Sequence, residues 1–174
     1  GPFQAYHGNL AYHQKYEPEG KPINRGQEFK VGDQTLKWME RKDWIDGPVH
    51  YDLVGENCAT YLYRNIYSAT KQRVTLFIGS DDAIKVWVNQ QEVLARNIVR
   101  EAEPAQEKIQ VELKPGNNEL VLKVVNYSGR YGFFFTLKSD PAMVPANVVD
   151  IAALDRANRT DEQQAAIRDY FRPT

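Results

Sequence analysis

The sequence predicts a mostly-β protein: an antiparallel jelly-roll β-sandwich with a short helical extension at its C-terminal end. Three observations carry this. Between residues 29 and 138, short apolar segments alternate with polar residues at period two and are punctuated by turn signals. No helix-period stretch interrupts them. After Ser139 the character changes to linker and helix. A jelly roll is preferred to an immunoglobulin-like sandwich because no Cys…Trp…Cys pattern exists.

Residues 1–28 are polar and turn-rich, with Tyr6, Tyr12 and Tyr16 among Gly, Pro, His and Asn. They read as an irregular segment wrapped over the sandwich, its tyrosines packing on a sheet. Strands are expected at Phe29–Val31, Thr35–Arg41 and His50–Leu53, separated by Gly32-Asp33 and Asp46-Gly47-Pro48. Trp38 and Trp44 read as packing residues. Cys58–Ser68 has Leu62 and Ile66 on one face and Tyr61, Tyr63 and Tyr67 on the other. Arg73–Gly79 aligns Val74, Leu76 and Ile78.

The stretch Ser80-Asp81-Asp82 is an acidic corner leading into Ile84–Asn89, where Ile84, Val86 and Val88 oppose Lys85, Trp87 and Asn89. Glu92–Ala95 returns after Gln90-Gln91. A polar loop over 96–106 precedes Lys108–Leu113, whose Ile109, Val111 and Leu113 point inward. Lys114-Pro115-Gly116-Asn117-Asn118 is a turn. Glu119–Asn126 and Tyr131–Leu137 complete a run of about eight strands.

Beyond it, Asp140-Pro141 and Val144-Pro145 are linker-like, and Asn147 is placed to cap a short helix through Leu154. Thr160-Asp161-Glu162-Gln163 is a capping box. The helix it opens carries Ala166, Ile167, Tyr170 and Phe171 on one stripe and Arg168 and Arg172 in its last turn. The expected division is therefore 1–139 for the sandwich with its N-terminal segment, and 140–174 for linker and helix.

Composition excludes several classes. Apolar residues make up 42% and charged residues 26% of the 174, which fits a folded domain with a real core. A net charge of −1 offers no field for nucleic acid. No apolar run is long enough to span a membrane. The lone Cys58 cannot form an intrachain disulfide and reads as a buried thiol. His7, His13 and His50 have no metal-ligand spacing, and no GxSxG, HExxH, Walker loop or GxGxxG appears.

Two polar clusters stand out. Asp81-Asp82 reads either as a turn whose carboxylates cap backbone N–H groups, or as a hard-cation site or clamp for sugar hydroxyls. Asn126-Tyr127-Ser128-Gly129-Arg130-Tyr131-Gly132 reads either as a hairpin loop or as a ligand loop, with Asn126 and Arg130 donating to hydroxyls and Tyr131 stacking. Trp87 either packs under a loop or forms an exposed platform.

The segment GSDDAIKVWVNQQEVL, followed by KIQVELKPGNNELVLKVVNYSGRYGFFF, resembles a carbohydrate-binding-like module of large exported planctomycete proteins. Those proteins also carry cytochrome-c-like and planctomycete-specific domains. The resemblance extends to GENCATYLYRNIYS and RTDEQQAAIRDYFR, and to Gly1-Pro2-Phe3, which implies a piece of a longer chain. More distantly, Val86-Trp87-Val88-Asn89-Gln90-Gln91-Glu92-Val93 is similar to the sugar-binding domain of family 2 glycoside hydrolases, with Gln90 where Gly is usual. The Ser-Asp-Asp corner is similar to the protective-antigen-type lectin module, with Ala83 where Gly is usual.

These resemblances imply a galactose-binding-like sandwich, a non-catalytic polysaccharide- or glycan-binding role in an exported protein (periplasmic or cell-surface), and neighbouring domains of a parent chain as partners. Nucleic acid and membrane insertion are not expected. They place Ca²⁺ at Asp81 and Asp82. The expected ligand-binding set is Asp81, Asp82, Trp87, Asn126, Arg130 and Tyr131. The competing expectation is a spacer that packs against neighbouring domains and binds no sugar; an enzyme ranks third for want of a catalytic constellation.

Overall fold

The structure is a computed structural model that describes residues 2–139 and 146–171. The strands are β1 (Phe3–Gln4), β2 (Glu28–Val31), β3 (Gln34–Lys37), β4 (Val49–His50), β5 (Cys58–Ser68), β6 (Gln72–Asp81), β7 (Ala83–Val88), β8 (Gln91–Arg96), β9 (Glu107–Leu113), β10 (Gly116–Asn126) and β11 (Gly132–Ser139). The helices are α1 (Gly8–His13), α2 (Ala146–Ala153) and α3 (Asp161–Phe171). Two antiparallel sheets form, ordered β1-β5-β10-β7-β8 and β4-β11-β6-β9, with β2-β3 as a separate hairpin. From β5 onward the chain changes sheet at every connection except the β7–β8 hairpin. That alternation is jelly-roll connectivity.

Period-two patterning fills the space between the sheets. Val74, Leu76 and Ile78 from β6 meet Ile84 and Val86 from β7, Leu120, Leu122 and Val124 from β10, and Phe133 and Phe135 from β11. Cys58 is fully buried in the same cluster, and burial pushes its thiol up to about 12. β10 lies between β5 and β7 and is covered on both faces. Its Leu120–Val125 run is therefore nearly continuous in apolar residues rather than alternating.

The outer face of the first sheet is covered by the N-terminal segment. Phe3, Tyr12, Tyr16, Phe29 and Leu36 pack there against Tyr61, Trp87, Val121 and Val125. Tyr12 and Tyr16 behave as the sequence predicts, whereas Tyr6 is 92% exposed. The segment is also more regular than expected, since β1 pairs with β5 and α1 follows. A buried ion pair fastens it. Lys123 has no solvent exposure. Its Nζ donates to Glu19 Oε1 (2.8 Å), Gln14 O (2.7 Å) and Tyr12 O (3.2 Å). The Tyr61 hydroxyl donates to the same Glu19 oxygen.

Several boundaries differ from expectation. The strand expected to Arg41 ends at Lys37, because Arg41 turns to clasp Asp43 and Asp52 and stacks 4.2 Å from the Trp44 ring. The strand expected over His50–Leu53 is Val49–His50. At the hairpin, Asn89 and Gln90 both take positive φ (49° and 67°), so Gln90 adopts the backbone that glycine favours. The turn after β9 is organised by Asn118, fully buried, whose carboxamide bonds Lys114 N, Lys114 O, Gly116 O and Asn89.

The capping box forms as predicted: Gln163 N donates to Thr160 Oγ1 (3.2 Å) and Thr160 N to Gln163 Oε1 (2.9 Å). α2 begins at Ala146, which puts Asn147 inside the helix rather than at its cap. Asp140-Pro141, Val144-Pro145, Arg172 and the side chains of Tyr170 and Phe171 lie outside the described residues.

Candidate functional site: the acidic corner

β6 belongs to the second sheet and β7 to the first, so residues 81–83 carry the chain from one sheet to the other. Asp81 pairs with Gly132 of β11, and Ala83 pairs with Val125 of β10. Asp82 N donates to Val125 O (2.9 Å) between them. The Asp81-Asp82 peptide is cis. Ala83 needs no positive φ here: it starts a strand and is fully buried, so the corner does not call for glycine at this position.

Asp82 staples three segments. Its carboxylate accepts Arg100 N–H (3.0 Å) and Tyr127 N–H (2.8 Å). The Ser80 hydroxyl donates to Asp82 O (2.7 Å) and accepts from Arg100 Nη2 (3.0 Å). Arg100 also donates through Nε to Ser80 O (3.2 Å) and through Nη1 to Glu107 Oε1 (2.9 Å). Gln106 Oε1 accepts Ser80 N–H (3.0 Å). This loop lies so close that a Cβ on Gly79 would sit 1.9 Å from Glu103 O, which requires glycine before the corner.

Asp81 differs from its neighbour. It is only 3% exposed, and its Oδ2 is buried with no hydrogen-bond partner among the described residues. Burial first, then the charges of Asp82 and Glu101, raise its carboxyl to about 6, with Arg130 opposing. Asn126, fully buried, shows the same feature. Its Nδ2 donates to Gly55 O (2.6 Å), which fixes the carboxamide orientation, and its Oδ1 has no partner. Asn126 follows Val125, the acceptor for Asp82 N, so the register brings both residues to the same end of the sandwich.

The expected ligand set is thus only partly brought together. Asp81, Asp82 and Asn126 lie at one end of the sandwich. Arg130 is exposed at the same end, its guanidinium 4.5 Å from the Tyr51 ring. Trp87 is no platform: it points to the outer face of the first sheet, but the N-terminal segment covers that face and leaves it 5% exposed. Tyr131 offers no ring to solvent either. It faces the inter-sheet core, and its hydroxyl donates to Val124 O (2.6 Å). Its phenol is raised by burial.

Arg100, Gln106 and Tyr51 belong to this end and carried no motif. The one available signal was the length of the 96–106 loop, since long loops in compact domains tend to be functional. Tyr51 is held by its hydroxyl on Ala102 O (2.7 Å).

A hard cation is bound by oxygens alone. Among the described residues, no group of three or more His, Cys, Asp or Glu side chains is gathered at a point. The oxygens available are those of Asp81, Asp82 and the Asn126 carboxamide, with main-chain carbonyls and water to complete a shell. Two of these are buried acceptors that no protein donor satisfies. Carboxylate, carboxamide and carbonyl oxygens are the donor type that Ca²⁺ takes.

No family model matches the chain, and no curated protein does. Among solved structures it is similar to the PA14 domain of the antifreeze protein MpAFP, with TM-score 0.42, 15% identity, and 49% of this chain and 45% of that one covered. A β-glucosidase from Kluyveromyces marxianus in complex with glucose gives 0.40 and 9%, covering 52% of this chain and 12% of that one. A family 35 carbohydrate binding module from an environmental isolate gives 0.36 and 14%, covering 55% and 88%. The chain therefore spans less than half of the PA14-domain structure it matches. All three scores lie below 0.5, so the likeness bears on neither ligand nor activity.

Proposed function

We propose that this chain is a non-catalytic carbohydrate-binding module of a larger exported protein, and that glycans bind at the Asp81-Asp82 end with Ca²⁺. The observation that supports this best is the pair of buried, donor-less oxygens on Asp81 and Asn126. Buried acceptors normally find a partner. A bound cation supplies one for both and also offsets the charge that raises Asp81. Asp81, Asp82 and Asn126 would hold Ca²⁺, which would supply a Lewis-acidic partner for sugar hydroxyls. The chain's own residues do the rest: Asp82 and Arg100 hold the corner rigid, while Arg130 and Tyr51 supply a charged and an aromatic surface beside it.

The test has two parts. Calorimetric titration with CaCl₂ should give a saturable heat. Affinity-gel retardation on a panel of polysaccharides should give retardation that EDTA weakens. Absence of any Ca²⁺ heat rejects the metal, and absence of retardation with and without Ca²⁺ rejects the glycan.

A second reading, an interaction domain docking a neighbouring domain, is favoured by a different observation. Tyr6 (92%), Val99 (71%), Val54 (68%) and Ile98 (43%) are exposed on the loops at this same end. The loops are tied together, since Asn97 bonds both Asn9 and Tyr127, and Asn126 bonds Gly55 O. Exposed apolar groups gathered at one end mark an interaction surface. Val99→Asp would weaken docking to an adjacent domain and leave Ca²⁺ binding intact under this reading.

A further inference from the structure

A cleft opens away from the acidic corner. It is an open cleft of about 280 Å³ between β8, the edge of the first sheet, and β9, the edge of the second. β7 leaves the corner at Ala83 and reaches the cleft at Val88, about 17 Å along the strand. Its floor is Val88, Val93 and Val111, at the edge of the core.

Its walls carry Asn89, Gln91, Gln110 and Glu112. Gln91 and Gln110 are exposed, and no protein group bonds their carboxamides among the described residues. Asn89 is held rigid by Asn118 and by Glu119 N–H. Glu112, the one charged wall residue, pairs with Lys71 (3.0 Å), which lowers its carboxyl. A cleft with an apolar floor and carboxamide walls suits a neutral, hydroxyl-rich ligand. The floor takes C–H groups, and the Gln91 and Gln110 carboxamides, which have no protein partner among the described residues, each offer a donor and an acceptor to hydroxyls.

We propose that this cleft is a second glycan subsite, independent of metal, that takes a ring of a neutral polysaccharide chain. It makes no use of Asp81, so it stands or falls apart from the corner. The probes are cellohexaose, mannohexaose and xylohexaose in EDTA, read by NMR on the side-chain amides of the whole chain. At least one should shift the Gln91 and Gln110 NH₂ resonances. A Gln91→Ala/Gln110→Ala variant, exposed at both positions and so expected to melt with the parent, should bind that hexaose about tenfold more weakly. Asp81→Asn should bind it unchanged. The proposal is overturned if no hexaose shifts these resonances, or if the double variant binds as well as the parent.

Discussion

Replacing Asp81 by Asn removes a charge and keeps the shape. The carboxyl is 3% exposed and raised from 3.8 to about 6, chiefly by burial. A raised folded-state value means that the folded protein holds this proton more tightly than the unfolded chain. The associated stability is present below pH 3.8 and is lost as pH rises to about 6, after which the cost is constant. At 1.36 kcal/mol per pH unit the gap sets a ceiling of about 3 kcal/mol. Solvent screening at the rim of the sandwich reduces this to about 1–2 kcal/mol. Asp81→Asn should therefore melt about 2–6 °C above the parent at pH 7.5 without Ca²⁺, and with the parent at pH 3.5. It should also lose the Ca²⁺-induced rise in melting temperature. In the parent, Ca²⁺ competes with the proton on Asp81, so its affinity should fall about tenfold between pH 7 and pH 5. Differential scanning calorimetry across pH, with and without Ca²⁺, reads all of this. A variant less stable than the parent at pH 7.5, or one that keeps the Ca²⁺ shift, would refute the reasoning.

Three further changes test the scaffold. Asp82→Ala should act with the opposite sign, losing about 2–4 kcal/mol in urea unfolding, because the Arg100 and Tyr127 amides lose their acceptor; a neutral result would deny the stapling role. Glu19→Ala leaves Lys123 buried without a carboxylate and should cost about 3–5 kcal/mol, most of it recovered in Glu19→Leu/Lys123→Met; equal losses in both variants would contradict this. Ala105 is exposed at φ 57°, so Ala105→Gly should gain about 0.5–1 kcal/mol by thermal melting, and a loss would show that its methyl group packs.

The sandwich was legible because its strands obey period two and its turns carry turn residues. Cys58–Ser68 was read with both ends correct. β10 was legible in position but not in its double burial, since Lys123 in mid-strand reads as a solvent-facing residue until Glu19, 104 positions away, is seen to meet it. For the same reason Trp87 was open to two readings. Alternation gives the face of a strand and not what covers it, and the covering segment has no period of its own. At the corner, the type and place of Asp81 and Asp82 were visible, but their division of labour was not. Asp82 meets Arg100 and Tyr127 through main-chain N–H groups, which leave no trace in residue identity.

That division of labour bears on what the corner is for. A turn needs one carboxylate to cap its backbone groups, and Asp82 meets that need with two amides in hand. A second carboxylate, raised first by its burial and then by the charge of its neighbour, adds cost to the fold. The neighbouring Asn126 repeats the pattern: its Nδ2 ties down the 51–57 loop, while its Oδ1 is left in a buried place without a donor. The rest of the corner is fully bonded, through Ser80, Arg100, Glu107 and Gln106. The unpartnered oxygens of two residues within an otherwise bonded network are open to an oxygen-seeking cation. A spacer that only docks a neighbour gains nothing from them. The Ca²⁺ response of Asp81→Asn thus separates the two readings: under the spacer reading the variant is more stable and docks as well as the parent, whereas under the Ca²⁺ reading the added stability comes with loss of metal binding and of the Ca²⁺-dependent glycan binding at the corner.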